Sequence, residues 1–319
     1  MMNRITRRRF ISIAAAATGA SLTLPTIGMA STPTLHRWQG RALGAQAEIL
    51  LNVPSDVDGG TLVKAITNEI SRLEAIFSLY QADSAITRLN EQGYLIGPPI
   101  ELVDVLHQAR DVSLKTKGAF DITVQPLWQL YHENADMKIA SQLRQKVLGL
   151  IDYNAVLLDD EKVSFGKPGM AITLNGIAQG YITDRLTRLL ASYGLDNSLI
   201  QLGETRALGS YPDGRDWRVG LKSSPSTKIN LCNQSLATSA GGMARNHIFD
   251  PRTGQALKMY DSVSVVASTA TLADSLSTAF VLMPEKEIYT ITKQIAGVKT
   301  ILVRGASITK IGVNVPDHS

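Results

Sequence analysis

The side chains best suited to chemistry gather between Thr238 and Thr278. Residues 238–257 read TSAGGMARNHIFDPRTGQAL, and 270–280 read ATLADSLSTAF. Gly241 and Gly242 permit backbone shapes that bring amide N–H groups close to a ligand. The turn signature Asp250-Pro251-Arg252-Thr253-Gly254 follows His247 and would hold its imidazole at the mouth of whatever the glycines cradle. Asp274 and Thr278 stand four residues apart and share one helix face. A carboxylate and a hydroxyl so placed suit a hard cation such as Mg²⁺. The same residues also admit a plain reading, in which Asp274 is an N-terminal helix charge, Thr278 a surface hydroxyl and His247 a structural hydrogen-bonder.

The elements that must position these groups are legible as patterns. Residues 36–53 read as a strand pair or a bent strand punctuated by Gly40 and Gly44. From Thr61 to Leu79 the apolar residues Leu62, Ile66, Ile70, Leu73, Ile76 and Phe77 form a helical stripe, after which Asp83 or Ser84 can cap another helical turn. Pro99 to Lys117 is a second amphipathic helix. It runs into Gly118-Ala119-Phe120-Asp121 before a Pro126-Leu127-Trp128 helix start, where Asp121 either serves a site or satisfies nearby backbone N–H groups. Asp136 to Gly149 reads as a polar helix with Leu143 and Val147 inward. Short strands flank the turn at 159–161. Ile172 to Asp184 reads as a strand, a glycine corner and a long helix to Tyr193, a geometry that aims backbone N–H groups at an anion. It is neither G-x-G-x-x-G nor G-x-x-x-x-G-K-[ST], so a dinucleotide-binding Rossmann unit is not expected. Residues 198–202, 217–221 and 300–304 read as further strands. Residues 261–267 alternate as a half-buried strand does, and a helix is expected to start at Ala273. Strands and helices mix without strict alternation, which predicts an α+β architecture.

Residues 1–30 have the form of a twin-arginine signal peptide: Arg7-Arg8-Arg9-Phe10, an Ala-rich apolar run, and Gly28-Met29-Ala30 before cleavage at Ser31. That run is too short and too polar to span a bilayer well, so the mature chain, 31–319, is expected in the periplasm without stable membrane insertion. The full chain carries 32 Lys+Arg and 28 Asp+Glu. Removing Arg4, Arg7, Arg8 and Arg9 leaves a formally neutral protein, so the basic pI argues for no nucleic-acid partner. A single cysteine, Cys232, excludes an intramolecular disulfide and a Cys-ligated cluster.

Seven segments together resemble the ApbE-type FAD:protein FMN transferases. They are Tyr80…Ser84…Leu89-Asn90, residues 118–128, residues 174–181 with Asp184, Leu202-Gly203…Ala207-Leu208-Gly209, Thr238-Ser239, residues 247–254 and residues 273–279. They occur in the family's order and cover essentially all of 31–319. The resemblance implies one α+β, T-fold-like domain of two sub-domains with FAD between them. It also implies a Mg²⁺-dependent enzyme that moves FMN from FAD onto a Thr or Ser hydroxyl of an acceptor flavoprotein. By position, Asp274, Thr278, Ser277 and the Gly176 carbonyl would hold Mg²⁺. Leu43, Tyr80, Ala119, Phe120, Asp121, Thr173, Gln179, His247 and Ile248 would line the FAD site, with His247 as the base.

This chain also departs from the family's usual wording. Asp-Leu-Gly-Gly-Ile-Ala-Lys-Gly is replaced by Thr173-Leu-Asn-Gly-Ile-Ala-Gln-Gly180, Gly-Gly-Asp by Gly203-Glu204-Thr205, and a common Met by Leu43. These variants, with the signal, are similar to the NosX branch, which implies a NosR-type acceptor in nitrous oxide reduction. Two other activities fit the same residues: a FAD-holding accessory protein without transfer, and a FAD pyrophosphatase.

Overall fold

A computed structural model of the chain describes residues 35–53, 57–134, 139–159, 161–221, 223–240, 248–256 and 259–312. Strands β1 (Leu35–Ala42) and β2 (Ala45–Asn52) form the predicted hairpin. Its turn is Leu43-Gly44, both left-handed at φ +46° and +75°, the backbone a two-residue hairpin requires. The Leu43 N–H donates to Glu74 Oε1 at 2.6 Å. Gly40 does not punctuate the strand. It lies inside β1, and an added Cβ would stand 2.4 Å from the Trp38 ring, so the absent side chain makes room for indole.

Helix α1 (Gly59–Phe77) buries the predicted stripe and is capped by Asp58, whose Oδ2 accepts from Thr61 N at 2.8 Å. Ser84 rather than Asp83 caps α2 (Ala85–Gln92); its Oγ accepts from Thr87 N and donates to Ser78 O at 2.6 Å. Strand β3 (Tyr94–Ile96) and helix α3 (Ile100–Lys115) follow, then a 3-10 turn at Ile122–Val124, α4 (Gln125–Glu133) and α5 (Ser141–Leu148). The inward orientation expected for Leu143 is not found. It is exposed and α5 buries no residue, because this helix meets the body mainly along α4, with only Val147 packed against the Leu127–Leu130–Phe249 cluster.

β4 (Val156–Leu158) and β5 (Lys162–Phe165) join β3 in a small antiparallel sheet. The strand expected at Ile172–Leu174 is absent. That segment is instead pinned by side chain and loop: Ile172 N donates to Asn90 Oδ1 at 2.7 Å, Asn90 Nδ2 donates to Ile172 O at 2.9 Å, and Thr173 N donates to Ile122 O at 2.8 Å. Its backbone groups are thus satisfied without a ladder.

Beyond it come α6 (Ala178–Ser192), β6 (Ser198–Gln201), β7 (Thr205–Leu208), β8 (Trp217–Leu221), β9 (Ser224–Leu231), β10 (Ser235–Ala240) and β11 (Ser262–Ala267). The described chain ends with α7 (Ala270–Phe280), α8 (Glu285–Gln294), β12 (Lys299–Arg304) and β13 (Ser307–Ile311). One eight-stranded sheet runs β1-β2-β6-β7-β10-β11-β12-β13, every pair antiparallel, so the α+β reading holds.

Strand β11 is buried on both faces rather than one. Val263, Val265 and Ala267 face the principal core with Leu276 and Phe280 of α7, while Val266 joins a second core. That second core is roofed by Trp217, Val219, Leu221 and Leu231 of the β8–β9 hairpin. The serines between the valines therefore meet protein rather than water; Ser264 Oγ lies 2.8 Å from Thr238 Oγ1. Among the described residues no helix is long and apolar enough to cross a membrane.

Candidate functional site

Helix α7 begins three residues before the predicted Ala273. Thr269 caps it, accepting from Leu272 N at 3.2 Å. Asp184 of α6 completes the start: its carboxylate accepts from Ala270 N and Thr271 N at 2.8 Å each and from Thr271 Oγ1 at 2.6 Å. Asp184 thus provides the negative charge that a helix N-terminus favours. This removes the plain reading of Asp274, which lies in the second turn and is only 4% exposed.

Asp274 Oδ2 accepts from Gly180 N at 3.0 Å, tying the start of α6 to α7. Gly180 has to be glycine here, since a Cβ would stand 2.3 Å from Ala270 O. Burial pushes the Asp274 carboxyl up to about 7, with the Gly180 N–H opposing and Asp184 adding to the rise. Among the described residues no basic side chain contributes to its environment. A carboxylate in this state is one that a cation would drive to its charged form.

Other oxygens converge beside it. Ser277 Oγ donates to Asp274 O at 3.0 Å and lies 2.9 Å from Ser239 Oγ of β10, which is itself 3.4 Å from Thr278 Oγ1. Gly176 abuts the same hydroxyl: a Cβ there would stand 3.0 Å from Thr278 Oγ1 and 3.3 Å from the Phe120 ring. Asp274, Ser277, Thr278 and Gly176 are therefore brought together from two distant stretches of chain. Carboxylate, hydroxyl and backbone oxygens are donors Mg²⁺ accepts, so the residues present fit that ion. Among the described residues no cluster of three or more His, Cys, Asp or Glu side chains is gathered. A cation here would rest largely on neutral oxygens.

The residues expected to line a FAD site fall into two groups. Phe120 touches the Gly176–Thr278 corner, with Ala119 and Asp121 beside it, all three buried. Asp121 also meets its structural reading, accepting from Thr123 N at 2.8 Å, Thr123 Oγ1 at 2.6 Å and Tyr153 N at 3.1 Å. Burial raises its carboxyl above the usual range despite those bonds. Thr173 precedes Gly176 on the pinned segment, and the Gln179 amide lies where a side chain at Gly203 would begin, 2.9 Å from that position.

Leu43 and Tyr80 belong instead to the C-terminal end of α1, through Glu74 and Ser78. The Tyr80 ring is 76% exposed and leaves a face open for stacking. Ile248 packs half-buried against the principal core. His247, Gly241 and Gly242 lie outside the described residues. The turn after them forms as expected, with Gly254 N donating to Asp250 O at 2.8 Å and Arg252 clasping the Asp250 carboxylate at 2.9 Å.

Two acids escaped sequence reasoning as site residues. Asp184 carries a local signal, a carboxylate within the 174–184 segment, but its partner lies 86 residues away. Glu204 stands between apolar strands, where a buried charge is unusual. It is 8% exposed, and burial together with Asp274 pushes its carboxyl well above the usual range.

Comparison with known proteins identifies the family and the fold. Residues 43–302 match the ApbE family. The chain is 27% identical over 277 residues to the FAD:protein FMN transferase of Escherichia coli (strain K12), spanning 75% of this chain and 79% of that protein. It is 29% identical over 270 residues to the FAD:protein FMN transferase of Haemophilus influenzae, spanning 73% and 78%. The crystal structure of the Pseudomonas stutzeri flavinyl transferase ApbE superimposes with a TM-score of 0.80 at 22% identity, covering 89% of this chain and 98% of that one. The ApbE protein of Thermotoga maritima gives 0.78 at 25% identity, covering 88% and 97%. With the match running through residues 43–302 and the fold shared over almost nine-tenths of the chain, this protein belongs to the ApbE family.

Proposed function

We propose that this chain is a Mg²⁺-dependent FAD:protein FMN transferase acting in the periplasm on a NosR-type flavoprotein. The observation that carries the reading is the meeting of Asp274, Ser277 and Thr278 on α7 with Gly176 and Ser239. Relatives named FAD:protein FMN transferase support the substrate pair. In the reaction an acceptor Thr or Ser hydroxyl attacks the FMN-side phosphorus of FAD. A phosphoester forms, the pyrophosphate bond breaks, and AMP leaves with the bridging oxygen. Asp274, Ser277, Thr278 and the Gly176 carbonyl would hold Mg²⁺, and the chemistry the ion would supply when bound is Lewis-acid stabilisation of charge on the pyrophosphate. His247 takes the proton from the acceptor hydroxyl, imidazole being matched to that task near neutral pH. Asn175 and Gln179 can hydrogen-bond FAD, Thr173 lines the same site, and Tyr80 offers its open face to one of the rings. The twin-arginine leader supports delivery to the periplasm.

The test uses residues 31–319 with FAD, Mg²⁺ and the soluble flavin-binding domain of a NosR-type protein. A mass gain of one FMN on the acceptor is expected, with AMP released, and both are lost with EDTA, in His247→Ala and in Asp274→Ala. Intact FAD retained with no mass gain would instead establish a flavin-holding protein. FMN and AMP produced without acceptor would establish a pyrophosphatase.

A further inference from the structure

Glu204 lies in the turn from β6 to β7, held by the Leu202 N–H donating to Glu204 O at 2.9 Å. The side chain is more than nine-tenths buried, and its Oε2 finds no hydrogen-bond partner among the described residues. Among the described residues only the Thr238 N–H favours its charged form.

Three neighbours fix where this carboxyl points. Gly203, the preceding residue, is filled by the Gln179 amide, and the next residue along that helix, Gly180, donates to Asp274. Thr238 precedes Ser239, whose hydroxyl meets Ser277 and Thr278. Asp274 itself is the charge that acts most strongly on Glu204. The carboxyl therefore enters from the sheet the space that α7 enters with Asp274.

Among the described residues no cationic side chain acts on it. Arg206, the nearest cation in sequence, turns to Ser235 Oγ and Ser268 O. Among the described residues no hydrogen bond joins the two acids, and Oε2 is unpartnered. Two buried carboxyl groups that act on each other cannot both be charged unless a cation joins them. A divalent ion between them resolves that conflict.

We propose that Glu204 is a further ligand of the cation, a second carboxylate contributed from the sheet. The assignment rests on the metal-dependent reading above and deepens it. It predicts a site with two protein carboxylates, and hence tighter binding of a free divalent ion than Asp274 alone would give.

The experiment titrates the mature protein with Mn²⁺ and follows the loss of the free-ion signal by electron paramagnetic resonance. Wild type, Glu204→Gln, Glu204→Met and Asp274→Asn are compared, and metal-free melts identify which variants fold. Both Glu204 replacements keep the volume and remove the charge, so either one that folds answers the question. Wild type is expected to bind one ion, Asp274→Asn to lose it, and the Glu204 variants to bind about tenfold more weakly or worse. The metal-free Glu204 variants should melt at or above wild type, because a buried carboxyl with an unpartnered oxygen has gone, and Mn²⁺ should raise their melting temperature less. Wild-type binding lost in Asp274→Asn but unchanged within twofold in the Glu204 variants would overturn this ligand while leaving the metal-dependent reading intact. A wild type that binds no Mn²⁺ would overturn both.

Discussion

Gly180→Ala sets two physical rules against each other. Gly180 occupies the first turn of α6, and helix propensity alone predicts that Ala there stabilises by up to about 1 kcal/mol. The tertiary structure predicts the opposite. The new Cβ would lie 2.3 Å from Ala270 O, 2.6 Å from Ala270 C and 2.8 Å from Thr271 Cα. Ordinary contact is about 3.5 Å, so the start of α7 must retreat by roughly 1 Å. The obstructing atoms are backbone, held by the Thr269 cap and the Asp184 carboxylate, and cannot rotate away. Overpacking of this kind costs about 1–3 kcal/mol, and stretching the Gly180–Asp274 bond costs roughly 1.5–3 kcal/mol more. After the propensity gain, a net loss of about 1.5–5 kcal/mol remains, roughly 3–10 °C in melting temperature for a chain of this size. The assay is a thermal melt of residues 31–319 in EDTA, paired with Gly59→Ala. At Gly59 nothing lies within 4 Å of the added Cβ, so that control should melt unchanged or slightly higher. A Gly180→Ala protein that melts at or above wild type would refute the close approach of α6 to α7, and with it the geometry of the site.

Two further outcomes follow from the same contacts. Asp184→Ala leaves two backbone N–H groups at the start of α7 without their acceptor; urea unfolding should show a loss of about 2–3 kcal/mol, and a loss under 1 kcal/mol would mean that Thr269 caps the helix alone. Glu69 bonds Arg72 within α1 and Arg185 of α6, and the Arg72 hydrogen bond, ahead of the attraction of both arginines, holds its carboxyl below the usual range. A lowered folded-state value means stability present above about pH 4.5 and lost as pH falls through the folded value. Melts of wild type minus Glu69→Gln should show a gap that is constant near neutrality and closes below pH 4.5, and a gap independent of pH would contradict the ion-pair account.

Much of the scaffold can be read from local pattern because local physics makes it. The α1 stripe, the Ser84 cap, the Leu43-Gly44 hairpin and the Asp250–Gly254 turn each depend on neighbours within a few residues. Asp274 and Thr278 were legible as a pair for the same reason, since helical spacing alone puts them on one face. What lies around that face was not legible. The sequence allowed Asp274 to be a helix-end charge, and only the placement of Asp184, from a separate helix, shows that the helix end is already occupied. Residues 172–174 have the composition of a strand, yet Asn90, 82 residues away, takes the hydrogen bonds of Ile172, and Ile122 that of the Thr173 N–H. The Val/Ser alternation of β11 promised a wet face that the β8–β9 hairpin covers. Residue type and spacing thus determined which chemistry this chain can carry, because side-chain chemistry and helical geometry are local. Which acids are buried, which are satisfied and which face each other was decided by the tertiary structure, because burial and charge depend on whatever distant segment arrives beside them.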